Sequence, residues 1–217
     1  MEKGKIYYPN RKIQYEGEYF NGKREGLGKY FDQESKYYFI GEFANGYLNG
    51  KAIIYNSSDD KILYEGDFIN GKFVGRGKLF YDNGNYYIGQ FRNHLQHGKG
   101  VEYDSNGNIQ YKGDFIDGVR EGNGKCITEY MVFIGEYKRG QPKKGKLYSS
   151  NGKFLLYDGD FINGELPNGI EIYKHNDGGY YVGQTQNNLY HGFGTLYNSD
   201  GTIKQKGNWI NDKYVGN

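Results

Sequence analysis

Two segments of the chain match the first half of a phosphate-binding loop. Gly17–Lys23 and Gly66–Lys72 both follow G-x-x-x-x-G-K, in which backbone amides and a lysine surround phosphate groups. A working loop continues with Ser or Thr, whose hydroxyl binds Mg²⁺, but Arg24 and Phe73 follow here. No helical pattern comes after either segment to direct amides at a phosphate. We therefore interpret both segments as turns.

Metal binding and nucleophilic catalysis have few candidate residues. The four histidines, His94, His97, His175 and His191, have no Cys or carboxylate cluster beside them at ligand spacing. Cys126 is the single cysteine and has no histidine paired with it in the sequence pattern. The nucleophile motif G-x-S-x-G is absent. The sequence therefore predicts no catalytic residue, no metal site and no cofactor, and a protein that is not an enzyme.

The densest cationic segment is a candidate for binding anionic lipid. It contains Lys138, Arg139, Lys143, Lys144 and Lys146. A cation near an anionic membrane contributes about 1 kcal/mol to binding, so the segment fits a phosphoinositide headgroup. The same composition is typical of a solvated turn, and we favour that interpretation.

Composition narrows the classes of partner. The 217 residues carry 28 basic and 26 acidic side chains, for a net charge of +2, so no strong attraction to nucleic acid is expected. One cysteine permits no intrachain disulfide, and residues 1–10 contain no apolar stretch typical of a secretion signal. These features predict a cytoplasmic protein.

The strongest signal is a glycine flanked by aromatic residues that recurs about every 24 residues. Nearly all of these anchor glycines have Tyr or Phe two positions before them and an aromatic residue two positions after. The anchors are Gly17, Gly41, Gly66, Gly89, Gly113, Gly135, Gly159, Gly183 and Gly207. Such a period indicates a stacked array, and arrays build extended binding surfaces rather than buried reaction centres.

One repeat has the pattern of a β-hairpin. Tyr64, Gly66 and Phe68 fall on one side of a strand because side chains alternate, and the bare glycine leaves room for a ring from a neighbouring strand. Asn70-Gly71 predicts a tight turn into a second strand. Acidic or amide residues follow the anchors and Lys29, Lys78, Lys125 and Lys146 lie on second strands, so cross-strand charge pairs are expected. Turns also separate successive hairpins, which predicts an all-β antiparallel meander.

The array is predicted to be a single repeat domain over residues 1–217. It holds eight full repeats from about residue 15 to 203 and half repeats at 4–8 and 204–217, the second resembling a first strand alone. Repeats six and seven contain Pro142 and Pro167, and their closing glycines shift to Gly145 and Gly169. We expect these two repeats to bend or twist the sheet differently.

The pattern Y-x-G-x-F-x-x-G-x-x-x-G-x-G, seen as YEGEYFNGKREGLG from Tyr15 to Gly28, resembles the MORN (membrane occupation and recognition nexus) repeat. The resemblance covers nearly the whole chain, with departures such as Ala52 and His94 at glycine positions. It implies an elongated, single-layer, twisted antiparallel sheet of stacked hairpins. It also implies scaffolding in cytoskeletal, ciliary or membrane-contact assemblies.

The function predicted from these features is a protein–protein scaffold in a cytoskeletal or ciliary (axonemal) assembly, with a helical or extended partner segment in an aromatic groove. Candidate contacts are Tyr64, Tyr87, Tyr111 and Phe133, although the same rings fit a buried core equally well. The alternative is a peripheral phosphoinositide-binding module that tethers membrane to cytoskeleton through the cationic segment. The complementary half repeats at the two ends also suggest head-to-tail self-association.

Overall fold

The computed structural model describes residues 1–217, which form two compact units, Met1–Val119 and Arg120–Asn217. All regular elements are β-strands except one short 3₁₀ helix, and no helix is long and apolar enough to cross a bilayer. The predicted all-β fold of antiparallel hairpins is confirmed.

The first unit is a run of antiparallel strands, each paired with the next along the chain. Its strands are β1 (Glu2–Tyr7), β2 (Ile13–Phe20), β3 (Lys23–Phe31), β4 (Tyr37–Ala44), β5 (Tyr47–Asn56), β6 (Ile62–Ile69), β7 (Lys72–Phe80), β8 (Tyr86–Arg92), β9 (Leu95–Tyr103) and β10 (Ile109–Ile116). The anchor glycines therefore lie side by side across this unit.

The second unit contains two series of paired strands. The first series is β11 (Val119–Ile127, which begins at the last residue of the first unit), β12 (Met131–Lys138), β13 (Gln141–Ser149) and β14 (Leu155–Asp160). The 3₁₀ helix Pro167–Gly169 follows. The second series is a five-stranded sheet of β15 (Ile170–Lys174), β16 (Tyr180–Gln186), β17 (Leu189–Tyr197), β18 (Ile203–Ile210) and β19 (Lys213–Gly216).

Two-residue turns close the hairpins, as the Asn-Gly pairs predict. Asn70 and Gly71 have φ values of 50° and 77°, the left-handed conformation that suits a tight hairpin turn. The Gly71 amide donates to the Leu48 carbonyl of the preceding repeat at 2.8 Å. Successive turns are thus joined side by side along one edge of the sheet.

The core consists of tyrosine rings that lie across paired glycines. Gly66 faces Gly77 on the next strand, and a Cβ added to either glycine would come within 2.5 Å of Tyr64 Oη. The ring that covers Gly66 belongs to its own strand, two residues earlier, so the prediction of a ring from a neighbouring strand was wrong for this glycine. The same ring crosses to cover Gly77, which is why both positions exclude a side chain.

Edge-to-face ring contacts join several neighbouring repeats. Tyr87 lies 5.2 Å from Phe91 in its own repeat and 5.1 Å from Phe115 in the following one. Tyr64 makes the equivalent contacts with Phe68 and Phe91. Such aromatic pairs stabilise a core beyond the burial of their area, by about 0.5–1.5 kcal/mol each. The core is therefore a row of rings along one face of the sheet, with the aliphatic Leu48, Ala52 and Ile54 taking part in it in the second repeat.

Repeat seven departs from the pattern, as predicted, but the reason differs from the predicted one. The residue opposite Gly183 is Glu171, where other repeats place a small residue, so the ring of Tyr157 has no bare backbone on β15 to cover. β14 and β15 accordingly lie in different sheets. The prediction that Gly169 closes the hairpin was wrong, because Gly169 lies in the 3₁₀ turn with φ of 66°.

The terminal strands also refine the sequence prediction. β1 is the predicted second-type strand, and its Gly4 pairs with the anchor Gly17. At the other end, Lys213–Gly216 forms a short strand paired with β18, so the last repeat is more than the single first strand that the sequence indicated.

Candidate interaction surfaces

Side-chain alternation gives the sheet of the first unit two different faces. We call the face with the anchor glycines and their rings the ring face. The opposite face carries the residues between them, such as Glu65 and Asp67, and we call it the charged face. Any binding surface has to be built from one of these faces or from the row of turns at the edge.

The four predicted partner contacts lie in the core. Tyr64, Tyr87 and Tyr111 are 0% exposed and Phe133 is 5% exposed. The Tyr87 hydroxyl donates to the Gln90 carbonyl at 3.1 Å, and burial raises the pKa of Tyr64 and of Tyr87. The geometry supports the core interpretation of these rings, because a partner would have to displace packed neighbours to touch them.

In several repeats the residue after the anchor has a structural role that the sequence did not reveal. The Asp67 carboxylate accepts from the Arg76 amide at 3.1 Å, and the Gln90 carboxamide accepts from the Lys99 amide at 2.8 Å. Both amides follow a glycine with positive φ, Gly75 at 58° in the first case, where the strand bulges. A side-chain oxygen that accepts this hydrogen bond is sufficient at this position, which explains why both acids and amides occur there.

The predicted cross-strand charge pairs form at some positions and not at others. Lys3 contacts Glu18 at 3.1 Å and Lys5 contacts Glu16 at 3.2 Å. Lys78 instead lies 4.2 Å above the ring of Tyr86, and Lys29 lies in the same way above an aromatic ring, so the prediction of carboxylate partners for these two lysines was wrong. A cation over a ring face is attracted by the π electrons.

Carboxylates accompany the cationic segment predicted to bind lipid. Each of its lysines has an acidic partner: Lys138 with Glu121 at 3.0 Å, Lys143 with Glu136 at 2.8 Å, Lys144 with Asp160 at 4.0 Å and Lys146 with Asp158 at 3.6 Å. The Arg139 backbone amide donates to Glu121 at 2.7 Å. Paired carboxylates cancel much of the positive potential that an anionic headgroup would meet.

The residues considered for catalysis or metal binding lie apart. Gly17–Lys23 and Gly66–Lys72 each run from a strand through a two-residue turn, which confirms their interpretation as turns. His94 occupies a turn with φ of 72°, and burial together with Lys72 lowers its pKa. No group of three or more His, Cys, Asp and Glu side chains lies close enough to hold a metal ion.

An exposed apolar row follows the turns of the first unit. Its members directly flank the two-residue turns on the charged face, and all are between 43% and 60% exposed. We call it the edge row: Phe20, Tyr47, Ile69, Leu95, Ile116 and Val119. The row is hard to recognise in the sequence because some members precede a turn and others follow one. Apolar residues next to each turn were the available signal.

Comparison with known proteins identifies the repeat. A sequence model of the MORN repeat matches residues 15–33, 39–60, 64–86, 87–109, 111–128 and 181–203, which together exceed half of the chain. The matches skip repeats six and seven. The structure departs from the regular hairpin only in repeat seven, since β12 and β13 of repeat six pair through Gly135 and Gly145.

No curated protein sequence matches the chain significantly. Among solved structures, BamB from Moraxella catarrhalis is 8% identical with a TM-score of 0.22, over 82% of this chain and 72% of that one. Hsv2 from Kluyvelomyces marxianus is 9% identical with a TM-score of 0.20, over 84% of this chain and 65% of that one. These scores are too low to bear on fold or function.

Proposed function

Because the chain belongs to the MORN-repeat family, whose repeats are protein- and membrane-interaction modules, we propose that it is a non-enzymatic scaffold that binds other proteins. We place it in a cytoskeletal or ciliary assembly of the cytoplasm, which is the setting that the resemblance implies. Within that assembly it would hold a partner along its repeats.

The edge row is the observation that supports this proposal. The packing of rings and glycines occupies the ring face, so its aromatic residues are committed to the fold. The edge row instead places six large apolar side chains in solvent along consecutive repeats. Clusters of exposed apolar residues are typical of protein-binding surfaces.

The alternative, a phosphoinositide-binding module, has weaker support. Its cations would be those of the Lys138–Lys146 segment, and the four lysines there already contact carboxylates. A headgroup would have to compete with these ion pairs.

Affinity capture from the native cell, followed by mass spectrometry, tests the scaffold. The full chain should retain a defined protein partner that a chain with Ile69→Asp and Leu95→Asp retains less well. Vesicle sedimentation with and without phosphoinositide tests the alternative. If the chain sediments only with vesicles that contain phosphoinositide and captures no protein, the membrane-binding function would replace the scaffold function.

A further inference from the structure

Between β5 and β10, residues of the edge row alternate with a pair of cationic residues that flank the same turns. Tyr47 on β5 and Ile69 on β6 form one apolar pair. Lys72 on β7 and Arg92 on β8 follow on the same face, since they are opposite Ile69 and Leu95 in the strand register. Leu95 on β9 then begins a second apolar pair.

The second apolar pair is completed by Ile116 on β10, and it leans on the next turn as the first pair does. A Cβ added to Gly118 would lie 3.9 Å from Leu95 Cδ2, and one added to Gly71 would lie 3.9 Å from Tyr47 Cδ1. Tyr47 and Leu95 therefore rest against the following turn, on the same face as Ile69 and Ile116.

The charged residues that lie between the two apolar pairs, Lys72 and Arg92, are both cationic. Lys72 has no carboxylate within ion-pair distance and is exposed. Arg92 contacts Asp117 at 2.9 Å, which cancels part of its positive potential, so Lys72 is the stronger cationic contact of the two. A partner that lies along the row therefore meets apolar, cationic and apolar contacts in that order.

The spacing of these pairs selects an α-helix. Strands lie about 4.8 Å apart, so the centres of successive pairs are about 10 Å apart along the row. The two members of a pair are about 5 Å apart in that direction and are also offset along their strands, since Gly50 is opposite Phe68 and Gly98 is opposite Phe115. Seven helical residues advance about 10.5 Å and one helical turn about 5.4 Å, which matches both distances on one helix face. In an extended strand, three residues advance about 10 Å, but side chains three apart point to opposite sides. A polyproline helix presents one residue per about 9.3 Å and would touch only one member of each pair.

We propose that the edge row from Tyr47 to Ile116 binds an acidic amphipathic helix of a partner protein. An apolar pair on the helix would contact Tyr47 and Ile69. An acidic pair seven residues further on would contact Lys72 and Arg92. A second apolar pair seven residues beyond that would contact Leu95 and Ile116. A second copy of this chain contains no α-helix and does not supply such a segment. The inference rests on the proposed scaffold function and names its surface and its class of partner.

The test uses the full chain and a fluorescein-labelled synthetic helix of three heptads. The first and third heptads present two leucines on one face and the middle heptad presents two glutamates. We expect micromolar binding by fluorescence anisotropy. A peptide of identical composition, with the glutamate heptad moved to the end, should bind at least tenfold more weakly. Equal affinity for the two peptides, or no binding of the first, would overturn the proposal.

Variants of the chain assign the contact to the edge row. Ile69→Asp and Lys72→Glu should each weaken binding about tenfold or more. Leu27→Asp is the matched control, because Leu27 is also on the charged face and 64% exposed but lies outside the row. A peptide with lysines in place of the glutamates should bind Lys72→Glu better than it binds the unaltered chain. This charge exchange decides the question if Ile69→Asp fails to fold.

Two further outcomes distinguish an error in the choice of binding surface from an error in the proposed scaffold function. If Ile69→Asp captures the same native protein as the unaltered chain, the scaffold stands and the edge row is the wrong surface. If the unaltered chain captures no protein, the scaffold fails too. Binding to phosphatidylserine vesicles that Ile69→Asp abolishes, with no peptide binding, would assign the edge row to a membrane instead.

Discussion

Tyr87 makes three kinds of contact, which together account for the tyrosine, glycine and phenylalanine positions of the repeat pattern. Its ring covers Gly89 and Gly100, either of which would place an added Cβ 2.2 Å from the Tyr87 hydroxyl. The hydroxyl donates to the Gln90 carbonyl, and the ring edge contacts an aromatic residue of the next repeat. The pattern of tyrosine, glycine and phenylalanine is therefore a packing unit rather than a binding motif.

Gly89→Ala tests the packing of ring on glycine. The new methyl group would overlap Tyr87 and lie 2.6 Å from Gly100 Cα, so we expect a loss of about 1–3 kcal/mol in the free energy of unfolding. Gly46→Asn is the comparison variant, because Gly46 has φ of 90° with open space around it, so a side chain there adds backbone strain and no overlap. Urea unfolding measures both, and equal stabilities would contradict the packing role.

Tyr87→Ala separates the core role from a partner-contact role. Removing a fully buried ring should cost about 3–5 kcal/mol of unfolding free energy, whereas Tyr87→Phe should cost about 1 kcal/mol through the lost hydroxyl bond. Thermal unfolding followed by circular dichroism measures this. An unchanged melting temperature together with weaker partner binding would restore Tyr87 as a contact residue.

Buried tyrosines predict a loss of stability at high pH. Burial, aided by a hydrogen bond to Asp60, raises the pKa of Tyr38 to about 12, and burial raises the pKa of Tyr181 to about 12. The unfolded chain ionises these groups near pH 10 and the folded chain near 12. The stabilisation is therefore complete below pH 10 and is lost as the pH rises to about 12.

Absorbance at 295 nm, recorded with circular dichroism through an alkaline titration, tests this prediction. A late fraction of the 25 tyrosines should ionise only as the β-sheet signal disappears. Ionisation of all of them near pH 10 with the sheet intact would contradict it.

At the scale of elements, the hairpins could be predicted and the interruption between β14 and β15 could be predicted only in part. Asn70-Gly71 identifies its turn from sequence because few residue pairs adopt positive φ twice in succession. The register of β15 could not be read in this way. It depends on which residue lies opposite Gly183. The sequence indicated Gly169, whereas the structure places Glu171 there.

Hydrogen exchange should locate this interruption. β15 has a neighbouring strand on one side only, so half of its amides lack a ladder partner. Peptides from residues 161–174 should exchange faster than peptides from 86–103, whose strands have neighbours on both sides. Equal protection of the two regions would show that β14 and β15 pair in solution.

At the scale of the whole molecule, the repeat and its family could be predicted, because a sequence period survives without knowledge of side-chain positions. The binding surface could not be predicted from the same pattern. The contacts predicted from the sequence were aromatic residues, yet Tyr64 and Tyr87 are fully buried in the core. Ile69 and Leu95 look ordinary in the sequence and form a surface only once the turns lie side by side.

The central claim is that this chain binds a protein through its edge row. The most direct measurement is quantitative affinity capture from the native cell with three full-length chains: unaltered, Ile69→Asp with Leu95→Asp, and the control Leu27→Asp. We expect one protein partner that the unaltered and control chains retain equally and that the double variant retains at least tenfold less. Equal retention by all three chains would contradict it.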